Sequence, residues 1–219
     1  MIDLHTHTLF SDGELIPSEL ARRALVKGYT ALGMTDHGDL SNLDLIIPRL
    51  VRVAVSLTRE LGIKVIPGIE LTHVPPANYA EAVIEARRLG AFIVIAHGET
   101  IAEPVAKGTN QAAIESGIDI LAHPGLISDE DTLLAVERGV LLELTTRKGH
   151  SLTNGHVAAM AKKHGAKLVV NNDAHAPGDL TSREHAEKVV LGAGLTKADF
   201  NMAQANAAAL VEKVFSTEN

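Results

Sequence analysis

The chain has 219 residues, 46% of them apolar, with a net charge of −7, 11 histidines and no cysteine. Without cysteine there are no disulfides or thiolate sites, so any metal must be held by His, Asp and Glu, a donor set suited to Zn, Mn or Fe. The acidic balance and 3% aromatic content argue against a nucleic-acid binder, and no apolar run is long enough to span a bilayer.

Apolar, β-branched runs alternate with helix-like stretches along the whole chain. Residues 1–5 read as a first strand that runs straight into His5-x-His7. Residues i and i+2 of a strand face the same side, so both imidazoles can aim at one ion. Asp12 follows from a loop, and Gly13 permits a sharp turn there. A helix over 17–27 has Pro17 in its first turn and Gly28 as its stop. Strand two covers 30–34 and leads into Thr35-Asp36-His37. A long helix over 43–61 has Ser41 or Asn42 as cap, Gly62 as stop, and Pro48 as an alternative start. Strand three, 64–69, meets Glu70; a helix over 79–89 ends at Gly90. Strand four, 91–96, meets His97; a short helix over 110–116 ends at Gly117. Strand five, 118–122, meets His123-Pro124-Gly125. Ser128 caps a helix that runs to residue 138. Strand six, 140–144, shows no clear metal-binding residue and continues into Arg147, Lys148 and His150. A helix over 154–164 follows, then strand seven, 167–170, which runs out into Asp173-x-His175. Helices over 182–191 and 197–214 close the chain.

Seven strands, each followed by a helix, imply a parallel sheet in the α/β class. No linker or composition break divides the chain, so a single domain over 1–219 is expected. Two architectures compete: a distorted (β/α)7 TIM-like barrel and an open, doubly wound sheet. Six strands finish with His, Asp or Glu at their C-terminal ends. In a closed parallel barrel those ends converge on one face, where active sites lie. In an open sheet the outer ones could not meet, so the barrel is favoured.

These motifs together resemble the PHP superfamily, named for polymerase and histidinol phosphatase domains. The match rests on His5-x-His7 with Asp12, Thr35-Asp36-His37, Gly-Ile-Glu70, His97, His123-Pro-Gly and Asp173-x-His175, and runs from the first strand to the seventh. The resemblance implies a (β/α)7 barrel with three divalent metal ions. It places one ion on His5, His7, Glu70 and Asp173, a second on His97 and His123 with Glu70 shared, and a third on Asp12, His37 and His175. No position of the pattern is missing.

Asp36, beside His37, is expected to orient an imidazole or share a proton. Arg147 is placed to fork onto phosphate oxygens, with Arg183 and Lys107 as further clamps. His156, His164 and His185 are discounted as helix residues, His73 reads as a loop residue, and His150 stays open.

The resemblance then implies a metal-dependent phosphoesterase. It would act on a small anionic phosphorylated metabolite such as histidinol phosphate, through a metal-bridging hydroxide. No nucleic-acid or membrane partner is expected. With no signal peptide ahead of the first strand, a cytoplasmic location is expected. A 3′-end nuclease, a C–N hydrolase on the same centre and a non-catalytic interaction module are the alternatives.

Overall fold

The computed structural model describes residues 1–216. The strands are β1 Ile2–Asp3, β2 Ala31–Met34, β3 His37–Gly38, β4 Lys64–Leu71, β5 Ile93–His97, β6 Ile120–Ala122, β7 Leu141–Thr145 and β8 Leu168–Asn171. The helices are α1 Pro17–Val26, α2 Leu43–Leu61, α3 Tyr79–Arg88, α4 Thr109–Glu115, α5 Asp129–Arg138, α6 Asn154–His164, α7 Arg183–Gly192 and α8 Lys197–Ser216. Every strand pairing among the described residues is parallel, in the order β1-β2-β4-β5-β6-β7-β8, with β3 beside β4.

The two ends of that order meet. Thr6 and Ala174 form a parallel bridge. His7 N donates to the Ala174 carbonyl at 2.9 Å, and Leu4 N donates to Asn171 Oδ1 at 2.9 Å. The result is a nearly closed, TIM-like barrel of seven parallel strands, with β3 continuing the line of β2. The open doubly wound sheet is thereby ruled out.

Local chemistry explains the boundaries. α5 starts at Ser128, whose hydroxyl accepts from Asp131 N at 3.0 Å. The predicted strand over 30–34 is β2; Thr35 N continues its ladder beyond β1 by donating to the Thr6 carbonyl at 2.8 Å, and the short β3 lies past Asp36, beside β4. α2 begins at Leu43 with Pro48 inside it, not at Pro48. Gly62 ends α2 in the left-handed region, at φ 72°.

The barrel interior explains why chemistry sits at one end only. Inward rows begin apolar and finish polar. Ile93 and Ile95 precede His97 on β5, Leu141 precedes Glu143 on β7, and Val169 precedes Asn171 on β8. Leu4, Ile66, Ile93, Ile95, Ile120, Leu141 and Val169 form a buried cluster with Ala207, Val211 and Val214 of α8. α8 therefore seals the N-terminal end of the barrel. Gln204 pins it there, accepting from Ile2 N at 2.8 Å and donating to the Ile2 carbonyl at 3.0 Å. Each aliphatic side chain so buried stabilises the fold by roughly 1.5–3 kcal/mol relative to exposure. The C-terminal end is left for the polar side chains. No helix among the described residues is long and apolar enough to cross a membrane.

Candidate metal centre

Glu70, at the end of β4, stands at the middle of the cluster. Its Oε2 lies 3.3 Å from His5 Nε2, 3.6 Å from His7 Nε2 and 2.7 Å from His37 Nδ1. Its Oε1 lies 3.5 Å from His123 Nε2. Asp173 approaches from the β8 end, with Oδ1 3.1 Å from His7 Nε2 and 3.7 Å from His5 Nε2. Asp12 Oδ1 lies 3.2 Å from His175 Nε2 and 3.5 Å from His37 Nε2. Donor atoms gather within 4.8 Å in His7–Asp12–His37–His175, in His5–His7–Glu70, in His5–His123–Asp173 and in His97–His123–His150. All nine residues of the expected set thus come together on one face. His150, left open in the sequence, joins them.

Tight turns deliver several of these groups. A Cβ at Gly13 would stand 2.5 Å from the His7 carbonyl oxygen, so close approach, rather than positive φ, demands glycine beside Asp12. A Cβ at Gly125 would stand 1.8 Å from the Glu99 carbonyl oxygen, which fixes the turn after His123. His73, His123 and Asp173 are non-glycine residues with positive φ, at 53°, 28° and 52°. Such strain gathers where a fold over-determines a site.

Several supporting residues were not foreseen. Glu143 of β7 is fully buried and its Oε2 accepts from His5 Nδ1 at 2.8 Å and from Asn171 Nδ2 at 2.8 Å. That bond fixes the tautomer of His5 and turns Nε2 toward Glu70 and Asp173. A lone charged residue in the run Leu-Leu-Glu-Leu was the available signal. Asp3 is buried below the cluster, bonded to Asn172 Nδ2 at 2.7 Å. Burial pushes its pKa up to about 7. Glu103, from the loop between β5 and α4, reaches His97, His73 and His150.

Four expectations require correction or refinement. Asp36 does not orient an imidazole. It accepts from Thr8 N at 2.7 Å, Thr8 Oγ1 at 2.8 Å, Ser11 N at 3.1 Å and Ser11 Oγ at 2.8 Å, and so holds the loop that carries Asp12. Arg183 is not at the cluster. It donates to Asn201 at 3.0 Å and lies 4.8 Å from the Phe200 ring centroid. Its charge is felt at the Met1 ammonium, at the opposite end of the barrel. Lys107 lines a different hollow, with Glu99, Glu130 and Asp131. Arg147 stands after β7 on the cluster's face, where Nη1 pairs with Asp179 Oδ2 at 2.9 Å. The same carboxylate oxygen accepts from His175 N at 3.0 Å, which ties Arg147 to the His175 loop.

The electrostatics are those of a cation trap. Burial pushes Glu70 and Asp173 upward, but surrounding imidazoles outweigh it and hold both below the usual carboxylate range. Burial pushes His5 downward, but Glu70, Glu143 and Asp173 outweigh it and hold its pKa well above the ordinary value. His7, where burial dominates, falls to about 3. Among the described residues, His5 Nε2, His7 Nε2, both oxygens of Glu70 and Asp173 Oδ1 are buried without a hydrogen-bond partner. Orphans of this kind are costly and normally paired. Imidazole nitrogens and carboxylate oxygens aimed at common points suit borderline divalent ions, which would satisfy them together.

Fold and site define a parallel α/β barrel whose strand ends carry a histidine–carboxylate cluster able to bind metal. The PHP-domain profile matches residues 3–170. An uncharacterised protein of Methanocaldococcus jannaschii is 48% identical over 196 residues, covering 89% of this chain and 90% of that one. The chain belongs to the PHP-domain family. A protein of Thermoanaerobacter sp. named as a probable phosphatase is 28% identical over 218 residues, covering 90% of this chain and 88% of that one. A chain from the structure of archaeal ribonuclease P with mature tRNA has a TM-score of 0.73 at 16% identity, covering 98% of this chain and 91% of that one. That last likeness concerns the fold alone.

Proposed function

We propose that the chain is a metal-dependent phosphoesterase, acting as a phosphomonoesterase on a small phosphorylated metabolite. The carrying observation is the convergence of His5, His7, Asp12, His37, Glu70, His97, His123, Asp173 and His175, with buried donor atoms left unpaired. The phosphatase naming of the Thermoanaerobacter relative supports the reaction class. Three divalent ions, Zn, Mn or Fe, are proposed for the nine residues. Bound ions would supply Lewis-acid charge for a phosphoryl group and acidify a water molecule.

Three carboxylates, Asp12, Glu70 and Asp173, offset part of that charge, so an anionic substrate is the natural guest. The protein's own residues prepare the site. Glu143 presents His5 Nε2, Asp36 steadies the Asp12 loop, and Asp179 links Arg147 to the His175 loop. Arg147 is proposed to bind a phosphoryl oxygen. Histidinol phosphate is one candidate substrate. The net charge of −7 favours a small metabolite over a polynucleotide.

The test is a panel of phosphomonoesters, phosphodiesters and amides, assayed with Mn, Zn or Fe and again after chelation. Phosphomonoester turnover that chelation abolishes is the expected result. Turnover of phosphodiesters or amides alone, or of nothing, contradicts the reading.

A further inference from the structure

We propose that Asn172 is a positioning residue that ties together two parts of the site: the turn that presents Asp173 and the β7–α6 loop that presents Arg147. The inference rests on the metal and phosphoryl roles proposed above for those two residues.

Asn172 lies between the end of β8 and Asp173 and is buried. Its backbone N–H donates to Asp3 Oδ1 at 3.2 Å, and its Nδ2 donates to Asp3 Oδ2 at 2.7 Å and to Tyr29 Oη. Its Oδ1 accepts from Thr146 Oγ1 at 3.0 Å and from Thr181 Oγ1 at 2.7 Å. A side-chain amide has two donor hydrogens and two acceptor lone pairs, and here all four are used. Tyr29 Oη in turn donates to the Thr181 carbonyl at 2.8 Å, so the network closes on itself. It joins β1, the α1–β2 turn, the β7–α6 loop and the β8–α7 segment, four stretches far apart in sequence.

Two parts of the site meet at this residue. Asp173, next in the chain, adopts φ 52°, a left-handed conformation that a non-glycine residue keeps only where its surroundings impose it. Asp3 clasps the backbone and side chain of Asn172 on one side of that turn. On the other side, His7 N bonds the Ala174 carbonyl at 2.9 Å. The Asp173 carboxylate is thereby aimed at His5 and His7. Thr146, across the amide, immediately precedes Arg147. Its N–H also donates to the Asn171 carbonyl at 3.0 Å, so its backbone and side chain both take their place from the Asn171–Asn172 pair. Arg147 follows from that anchor. A leucine would fill the same space but leave Asp3, Thr146 and Thr181 without this partner, and buried polar groups so stranded are costly. An aspartate would set a second carboxylate against Asp3. Among side chains of this size, only the asparagine amide donates to one neighbour while accepting from the others.

The test uses the full chain, stripped by chelation and dialysed, and calorimetry throughout. Zn2+ is titrated into the stripped protein, and inorganic phosphate into the Zn2+-loaded protein, with circular dichroism as the check on folding. Asn172→Ala is expected to bind one Zn2+ equivalent about 10- to 100-fold more weakly, as when the support of a metal-binding side chain is removed. Where that variant does not fold, Asn172→Ser, which keeps a hydroxyl donor toward Asp3, is expected to lose affinity in the same direction. Thr146→Val cuts only the branch to Arg147. It should keep the parent's Zn2+ affinity and weaken phosphate binding about 2- to 10-fold, the effect of one neutral hydrogen bond. Thr146→Ser should restore phosphate binding. On an Arg147→Ala background, Thr146→Val should cause no further loss, because its effect runs through the guanidinium. A residue that serves the fold alone would lower Tm and leave both affinities at the parent's values, and that result overturns the inference. A parent that binds no Zn2+ overturns this inference and the metal reading together. A parent that binds Zn2+ but no phosphate, or equal phosphate affinity in Thr146→Val, overturns the Arg147 branch. A parent that binds both but hydrolyses no phosphate ester overturns the function alone.

Discussion

Glu143 shows how one buried carboxylate sets the chemistry of another side chain. It occupies the Nδ1 side of His5 and leaves Nε2 for the cluster. A metal-binding imidazole held this way keeps one tautomer and one ring orientation. Glu143→Ala should therefore weaken metal binding by about 10- to 100-fold, read by calorimetry with Zn2+. Glu143→Gln should recover part, because an amide oxygen still accepts from Nδ1. Unchanged affinity in the alanine variant would remove Glu143 from the account. Asp36 acts on the backbone instead. Asp36→Ala strands the donors of Thr8 and Ser11, and each buried orphan costs roughly 1–3 kcal/mol. A lower Tm is expected, with weaker binding at the position that uses Asp12. An unchanged Tm would mean that the loop closes without it.

At the scale of elements, the strands place the site and the loops refine it. His5, His7, Glu70, His97 and His123 were legible because a strand has a two-residue period and a parallel barrel gathers its C-terminal ends. Glu143 was legible in principle, as one charge in an apolar strand, yet its neighbourhood suggested no ligand. Glu103 was not legible, because nothing in local sequence tells how the β5–α4 loop folds back over His97. Arg183 misled for the converse reason. It follows His175 by eight positions, and the chain has by then left the cluster's face for the start of α7. Arg147 remains on that face, although Asp179 already holds one of its nitrogens. If it also binds a phosphoryl oxygen, Arg147→Ala should lower kcat/KM by roughly 30- to 1,000-fold, about 2–4 kcal/mol. Metal content should stay the same, and Arg147→Lys should recover only part. Equal activity in parent and Arg147→Ala would leave Arg147 only its link to the His175 loop.

Across the whole molecule, proton and metal compete for one cluster. In the metal-free protein, Glu70, Glu143 and Asp173 hold the His5 pKa above its ordinary value. Its stabilising contribution is therefore complete below the unfolded pKa and lost as pH rises through the raised one. Glu70 and Asp173 are held below their ordinary values. Their contribution is present above the unfolded carboxylate pKa of about 4 and lost as pH falls through the lowered ones. The metal-free cluster thus stabilises the fold most between those limits. Because the same carboxylates favour a proton on His5, metal binding there competes with that proton and displaces it. Calorimetric titration in buffers of different ionisation enthalpy should show net proton release, and buffer-independent heats would contradict the assignment of His5. α8 closes the far end of the barrel, so this chemistry is confined to one face. The most direct measurement is an anomalous-difference map from crystals grown with Mn2+. The account predicts peaks within coordination distance of the nine converging residues, with Glu70 beside more than one ion. A map without peaks there, or with His97 and His123 turned away from the cluster, would contradict it.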